Sequence, residues 1–418
     1  MEMIALGLRV LLDFVFYYPL FMAYLWMVGG LDYYLRREYR KPLPDVPPPL
    51  PSYPKVSIIV PCHNEAAHLH DTIGYLFQQK YPDFEIIAVN DGSSDATGEM
   101  LNAMAQQNPL LRVVHFASNQ GKAMGLRMAA LVARGEFLVC IDGDALLDPY
   151  ATHWMVRHFL TGPRVGAVTG NPRIRTRSTL LGKIQVGEFS AILGLIKRAQ
   201  RVYGRVFTMS GVVSAFRKSA LHHVGYWSVD MITEDIDISW RLQLSHWDIR
   251  FEPNALCWIL MPETLKGLWN QRLRWAQGGS EVLLRYLRHM FSWRARRMWG
   301  VYFEYFTSIV WSYTMLLVFL AWIWGLFLPL PMNLQLPTLI PAWAGVVLSL
   351  TCLLQFAVAM LLDSRYERGL GRCYYVMIWY PLAFWMINLL TIVVGFPRAL
   401  LKKRGERAVW VSTDRGIY

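Results

Sequence analysis

Apolar positions along this chain fall into two kinds of run. Four are long enough to cross a bilayer: 14–31 (FVFYYPLFMAYLWMVGGL), 301–328, 340–362 and 374–396. A span takes about 20 apolar residues at a rise of about 1.5 Å each. The first run has no small-residue cleavage site behind a short apolar stretch, so it reads as a retained anchor and not a signal peptide. Between 41 and 296 the apolar runs are short: VSIIVP (56–61), FEIIAVND (84–91), LRVVHF (111–116) and FLVCIDGD (137–144). Stretches of helical length, such as 94–107 and 121–134, separate them. This alternation predicts an α/β domain with a mostly parallel sheet covered on both faces. Ligands of such sheets bind beyond the carboxyl ends of the strands, where Asp91, Asp142 and Asp144 fall. The proline-rich stretch 42–54 (PLPDVPPPLPSYP) predicts an extended spacer ahead of that domain.

Charge orients the spans. Arg36, Arg37, Arg40 and Lys41 follow the first run, and Arg285, Arg288, Arg294, Arg296 and Arg297 precede the second. Positive charge collects on the cytoplasmic side, so both ends of the central domain are expected there. The uncharged loop 329–339 then faces outward, and Arg365, Arg368 and Arg372 face inward. Four spans put the C-terminus outside, yet Lys402, Lys403, Arg404 and Arg407 argue for inside. Either the last run is re-entrant or the charge rule fails there.

The net charge of +12 comes largely from these membrane-edge residues. No basic stripe interleaved with stacking aromatics marks the central domain, so nucleic acid is not indicated as a partner. Five scattered cysteines form no CxxC pair, which argues against a disulfide framework and a zinc site. No GxGxxG follows a strand, and Lys122 in NQGKA (119–123) lacks the glycine of a P-loop, so neither a dinucleotide nor ATP hydrolysis is indicated.

Three constellations carry candidate chemistry. In IDGDAL, Asp142 and Asp144 stand two apart and on an extended segment would point to one side, as a shared cation needs. Mg²⁺ is commonly held by one or two carboxylates together with substrate phosphates; the plainer reading is an Asp-Gly turn with solvated acids. In ITEDIDISWRLQ (232–243), Glu234, Asp235 and Asp237 crowd the first turn of a helix. They either complement its dipole or supply a general base; Asp237 is given the structural part. In QRLRWAQGG (271–279), Gln271, Arg274 and Trp275 share a helical face suited to a phosphate and a stacked sugar. Arg272, on another face, is expected to lie at the membrane interface. HNEAAHLH (63–70) has no known metal spacing, and His63 is expected in a loop.

Taken in order, PCHNE (61–65), NDGSSDAT (90–97), NQGKA (119–123), DGD (142–144), TED (233–235) and QRLRW (271–275), followed by spans, resemble the family-2 processive glycosyltransferases. That group includes cellulose, hyaluronan and chitin synthases. The stretches 165–190, 230–247, 255–279 and 409–417 closely resemble the bacterial poly-β-1,6-N-acetyl-D-glucosamine synthases, which make a biofilm exopolysaccharide.

The resemblance implies a GT-A-type nucleotide-sugar domain inserted between transmembrane helices, with amphipathic interface helices. It divides the chain into an anchor (1–40), linker (41–54), GT-A domain (55–260), interface helices (261–298), transmembrane channel region (299–396) and basic tail (397–418). It implies UDP-N-acetylglucosamine (UDP-GlcNAc) as donor, Mg²⁺ or Mn²⁺ as cofactor, inversion at the anomeric carbon and export of a β-1,6-linked polymer. A bacterial inner-membrane location with a cytoplasmic catalytic domain follows from it. Residue by residue, Asp235 resembles the catalytic base and Asp142 and Asp144 the metal and UDP-sugar acids. Asp91 resembles the uridine-binding acid, with His63 beside the uracil, and Lys122 lies near the diphosphate. Gln271, Arg274 and Trp275 resemble the acceptor and leaving-group clamp; Ser210, Gly211 and Glu234 join the substrate-binding set. A cyclic-di-GMP-binding domain of the cellulose-synthase kind is lacking, so regulation by that nucleotide would involve a small companion membrane subunit. Relatives often begin with two spans where this chain shows one. The competing readings are hyaluronan, chitin or cellulose synthesis, addition of a single sugar to a polyprenyl phosphate, and a scaffold with a dead transferase domain. Intact acids at 142, 144 and 235 speak against the last.

Overall fold

The computed structural model describes residues 2–327, 342–403, 405 and 407–408. The loop 329–339, Arg404 and the stretch 409–417 lie outside the described residues.

The central domain is built on an eight-stranded sheet: β1 (Val56–Cys62), β2 (Phe84–Asp91), β3 (Leu111–Phe116), β4 (Phe137–Ile141), β5 (Leu146–Leu147), β6 (Val165–Ile174), β7 (Val213–Arg217) and β8 (Asp248–Ile259). Their order is β3-β2-β1-β4-β7-β6-β8-β5. The half formed by β3, β2, β1 and β4 is parallel. Beyond it β7 runs antiparallel to both neighbours, β6 and β8 pair parallel, and β5 closes the edge antiparallel. The sheet is therefore mixed, and the parallel part is the part the apolar runs foretold. Buried on both faces, its strands read as continuous apolar runs. Alternate residues of β1 feed opposite cores: Ile58 and Val60 pack with Leu69 and Ile73, and Ile59 packs with Ala123 and Leu126. The proline-rich linker is extended but not free, because Pro44, Pro48 and Pro54 offer carbonyls to Trp154, His153 and Tyr81.

Three helical stretches are long and apolar enough to cross a membrane: Arg9–Glu38, Trp293–Phe327 and Trp343–Asp363. Among the described residues, the fourth expected run is not one of them. Residues 374–396 break into a 3-10 turn (Tyr375–Trp379), a wide turn (Tyr380–Phe384) and part of a helix, Trp385–Leu401. That helix has 17 residues, about 25 Å at the α-helical rise and short of a hydrocarbon core of about 30 Å. Pro381 opens the wide turn and removes an amide donor. The helix packs instead against Leu265–Met290, so closely that a β-carbon on Gly395 would lie 2.9 Å from the Gln277 nitrogen.

The tail behind it returns to the central domain. Lys402 Nζ donates to the Asp230 carbonyl (2.7 Å), Arg407 to Gln120 Oε1 (2.7 Å) and the Ala408 amide to the Val229 carbonyl (3.0 Å). The described part of the C-terminal tail thus lies against the catalytic domain, as its charge suggests and a count of four spans does not.

A buried ionic network joins domain to spans. Arg173 on β6 donates to Asp363 (2.5 Å) and Glu367 (2.7 Å). Arg198 donates to Glu38 (2.6 Å) and Asp363 (2.8 Å), and Tyr366 to Glu38 (2.6 Å). Glu38 and Asp363 are the last residues of the first and third candidate spans. Two spans are therefore fixed to the sheet by one set of charges. Removing one partner of such a pair strands a buried charge, at a cost of about 3–5 kcal/mol.

Candidate active site

The chain runs β1 to β2 to β3 in one direction and then returns to place β4 on the other side of β1. That reversal opens a crevice at the carboxyl ends of β1 and β4, and the predicted acids gather around it. Ile141 ends β4, and the next four residues close a tight turn in which the Ala145 amide donates to the Asp142 carbonyl (3.2 Å). Asp142 and Asp144 are thus carried by a turn and not by an extended segment, and Gly143 between them packs so closely that a β-carbon there would lie 3.1 Å from the Pro61 carbonyl.

Lys122 begins the helix Lys122–Val132 and reaches across the crevice. Its Nζ lies 2.6 Å from Asp142 Oδ1 and 3.3 Å from Glu234 Oε1, and donates to the Gly211 carbonyl (3.1 Å). Burial disfavours this ammonium, but Asp142 and Glu234 outweigh it and hold its pKa above the ordinary lysine value.

Asp235 stands in the first turn of the helix Glu234–Leu244, between Lys122 and the interface helix. Its Oδ2 accepts from the Gly211 amide (3.1 Å) and its Oδ1 from the Ile236 amide (2.9 Å). Gly211 packs so closely that a β-carbon there would meet Asp235 Oδ2 at 2.9 Å. Burial first, and then Glu234, raise the Asp235 carboxyl to about 6, against the pull of Lys122 and Arg274. A carboxylate poised there ionises at neutral pH and remains basic enough to accept a proton. Asp237, assigned the structural part, accepts from Tyr286 (2.8 Å) and Arg241 (2.9 Å) and faces away from the crevice.

Asp91 is fully buried, and both its oxygens are taken: Oδ1 by the Gln120 amide (2.7 Å) and Oδ2 by the Gly121 amide (2.9 Å). In this structure it shapes the NQGKA loop. His63 lies in the expected loop, with Nδ1 against the Asp91 carbonyl (2.8 Å) and Nε2 beside Asn119 (3.1 Å). Ser210, one residue before Gly211, donates its amide to Thr169 Oγ1 (2.9 Å).

The QRLRW segment lies on the helix Leu265–Met290, whose N-cap Thr264 accepts from the Gly267 amide (3.1 Å). Arg274 is exposed toward the crevice, and its charge reaches Asp235. Trp275 is half-buried against Phe189, and Gln271 is buried with its Oε1 unpartnered. Arg272 contradicts its expected interfacial place. It is buried, pairs with Glu188, and lies 4.4 Å from the centre of the Trp275 ring. Glu188 also accepts from Tyr380 (3.1 Å), so the short returning segment turned the supposed lipid-facing side of this helix inward.

Lys197 escaped the sequence reading. It is 3% exposed, and its Nζ donates to Thr169 Oγ1 (3.2 Å), the same hydroxyl that holds Ser210. Burial lowers its pKa to about 7 while Asp235 pulls it upward. The one signal was a lysine–arginine pair inside the apolar stretch AILGLIKRAQ (191–200), which matches no motif.

Among the described residues no three His, Cys, Asp or Glu side chains converge on one point. The donor set at Asp142 and Asp144 is two hard carboxylates, which fits a cation completed by substrate phosphates and not a protein-only metal cage.

Residues 54–278 match the family model described as glycosyltransferase like family 2. The chain is 40% identical over 410 residues to a poly-β-1,6-N-acetyl-D-glucosamine synthase of Staphylococcus aureus, covering 97% of this chain and 98% of that protein. It is 40% identical over 413 residues to the synthase of Staphylococcus epidermidis, with the same coverage. A mannosyltransferase of Pyrobaculum calidifontis, solved with GDP-mannose and Mn²⁺, superposes with a TM-score of 0.58 at 19% identity, covering 94% of this chain and all of that one. At that identity the likeness speaks to the fold.

Proposed function

The chain belongs to glycosyltransferase family 2, and from that premise we propose that it polymerises N-acetylglucosamine from UDP-GlcNAc into a β-1,6-linked chain and passes it across the membrane. The carrying observation is the position of Asp235. A carboxyl with a pKa near 6 stands between the diphosphate-side Lys122–Asp142 pair and the QRLRW helix, on a domain that buried ion pairs fix to two of three candidate spans. The near full-length identity to two named synthases supports the donor and the linkage.

In this reading Asp235 takes the proton from the 6-hydroxyl of the terminal acceptor sugar, and that oxygen attacks the anomeric carbon as UDP leaves. The Gly211 amide fixes the carboxylate that accepts the proton. Lys122 and Arg274 face negative charge developing on the diphosphate, an electrostatic contribution of the kind that often dominates catalysis. Asp142 and Asp144 would hold Mg²⁺ or Mn²⁺, which when bound neutralises part of the diphosphate charge. Asp91 supports the uridine side through the loop it holds, with His63 next to it. Trp275 offers a ring face to the polymer end, and Gln271 a free carbonyl oxygen. Ser210 and Glu234 complete the walls of the crevice. Stimulation by cyclic di-GMP through a small companion subunit is part of the same proposal.

The test supplies membranes carrying the protein with Mg²⁺ and one labelled UDP-sugar at a time, with and without the companion and cyclic di-GMP. Polymer from UDP-GlcNAc alone, cut by a β-1,6-specific hexosaminidase, supports the reading. Polymer cut by chitinase instead overturns the linkage, and label confined to a short lipid-extractable product overturns polymerisation.

A further inference from the structure

Away from the crevice, a cavity of about 470 Å³ opens at the edge of the membrane domain. Ile174, Arg175, Arg177, Trp258, Tyr366, Glu367 and Arg368 line it. Its charges do not cancel. Both oxygens of Glu367 are engaged, one by Arg173 and the other by Arg177. Arg175 and Arg368 make no ion pair among the described residues, so two guanidinium groups face this space uncompensated.

The location narrows what could balance them. Tyr366 and Arg368 follow the third span, which ends at Asp363, within five residues. The chain then turns into a segment that leaves Tyr375, Ile378 and Trp379 exposed, at 83%, 58% and 54%. Large apolar side chains exposed beside a basic pocket mark the depth at which lipid headgroups lie. Trp258 and Tyr366 supply the aromatic wall usual at that depth. Guanidinium is suited to phosphate because its planar fork donates two hydrogen bonds at once.

We propose that this cavity binds the phosphate headgroup of an anionic phospholipid, gripped by Arg175 and Arg368 beside Glu367 and the two arginines, Arg173 and Arg177, that engage it. A lipid held there joins the third span to β6, the strand whose Arg173 anchors that span. The proposal rests on the membrane placement of the chain and not on its donor or product.

The experiment is native mass spectrometry of the full chain released from micelles of phosphatidylglycerol and phosphatidylcholine. Three forms are compared: wild type, R175S/R368S, and R288S/R294S, which loses two exposed membrane-edge arginines elsewhere. Wild type and R288S/R294S should retain phosphatidylglycerol over phosphatidylcholine, and R175S/R368S should bind it about 30-fold more weakly, at about 1 kcal/mol per basic residue near the surface. R175K/R368K should recover the part of the binding that charge alone supplies and lose the part that the guanidinium fork adds. If the double serine variant does not fold, R368S alone serves, since its side chain is exposed, and should show part of the same loss. Equal retention of phosphatidylglycerol by the pocket variant and wild type overturns the proposal. So does displacement of the lipid by equimolar soluble glycerol phosphate, which would make this a site for free anions.

Discussion

Asp235 must be ionised to accept a proton, and its surroundings set the pH at which that happens. With the carboxyl raised to about 6 by burial and Glu234, the rate of sugar transfer should fall as pH drops through about 6. E234Q removes one of the charges that raises it and also frees Lys122, so the acid limb of the pH–rate profile should move to lower pH; an unmoved limb would detach the profile from Asp235. Lys197 gives a prediction of opposite kind. Its pKa near 7 lies below the ordinary lysine value of about 10.4, so between these the unfolded chain holds a proton the folded chain has lost. Stability attributable to this group therefore rises with pH across that window. K197M should melt at a higher temperature than wild type at pH 7, and the gap should narrow by pH 9. A constant gap would show that Lys197 is not held in this state. The acids were legible as residues because their spacing is chemical. Lys197 was not, because its role comes from burial by a helix and a strand that sequence does not bring together.

At the scale of elements, the two glycines of QRLRWAQGG explain how a helix at the membrane edge reaches Glu234 and Asp235. A β-carbon on Gly278 would run into the Thr233 side chain, and one on Gly279 into the Tyr305 hydroxyl. Thr233 directly precedes Glu234 and Asp235, so the helix touches the turn that bears Asp235 through a missing side chain. Alanine is the better helix former by about 1 kcal/mol in isolation. G278A should nevertheless lower kcat at least about tenfold by shifting Asp235, with a smaller effect on donor KM; wild-type kcat would show that this contact does not position the base. The parallel strands and the helix Glu234–Leu244 were readable because buried runs and first-turn acids have local signatures. The inward side of Leu265–Met290 was not. Arg272 reads as interfacial until the returning segment places Tyr380 on Glu188, and that is a tertiary fact.

For the whole molecule, three candidate spans and a tail that returns to the central domain predict opposite faces of the membrane for residues 2 and 403. The chain's own cysteines are all buried, so a single added cysteine reports its side cleanly. E2C and K403C should react with an impermeant maleimide from opposite faces, K403C from the face that also exposes the catalytic domain. Labelling from the same face would restore the four-span reading. Hydropathy alone counted a fourth span because Tyr375–Phe396 is apolar enough; what it lacked is the break at Pro381 and the groove that receives the short helix. The buried network of Glu38, Arg173, Arg198, Asp363 and Glu367 was equally hidden, its members lying up to 328 residues from their partners along the chain.

The central claim is that Asp235 is the base of a sugar polymerase. Its most direct measurement is UDP release and polymer formation from UDP-GlcNAc at pH 7.5, with D235N beside wild type in the same membranes. The account predicts that D235N folds, holds UDP-GlcNAc and loses both products by at least about 10²-fold, the scale of a lost general base. Polymer made by D235N at a rate within a few fold of wild type would contradict it.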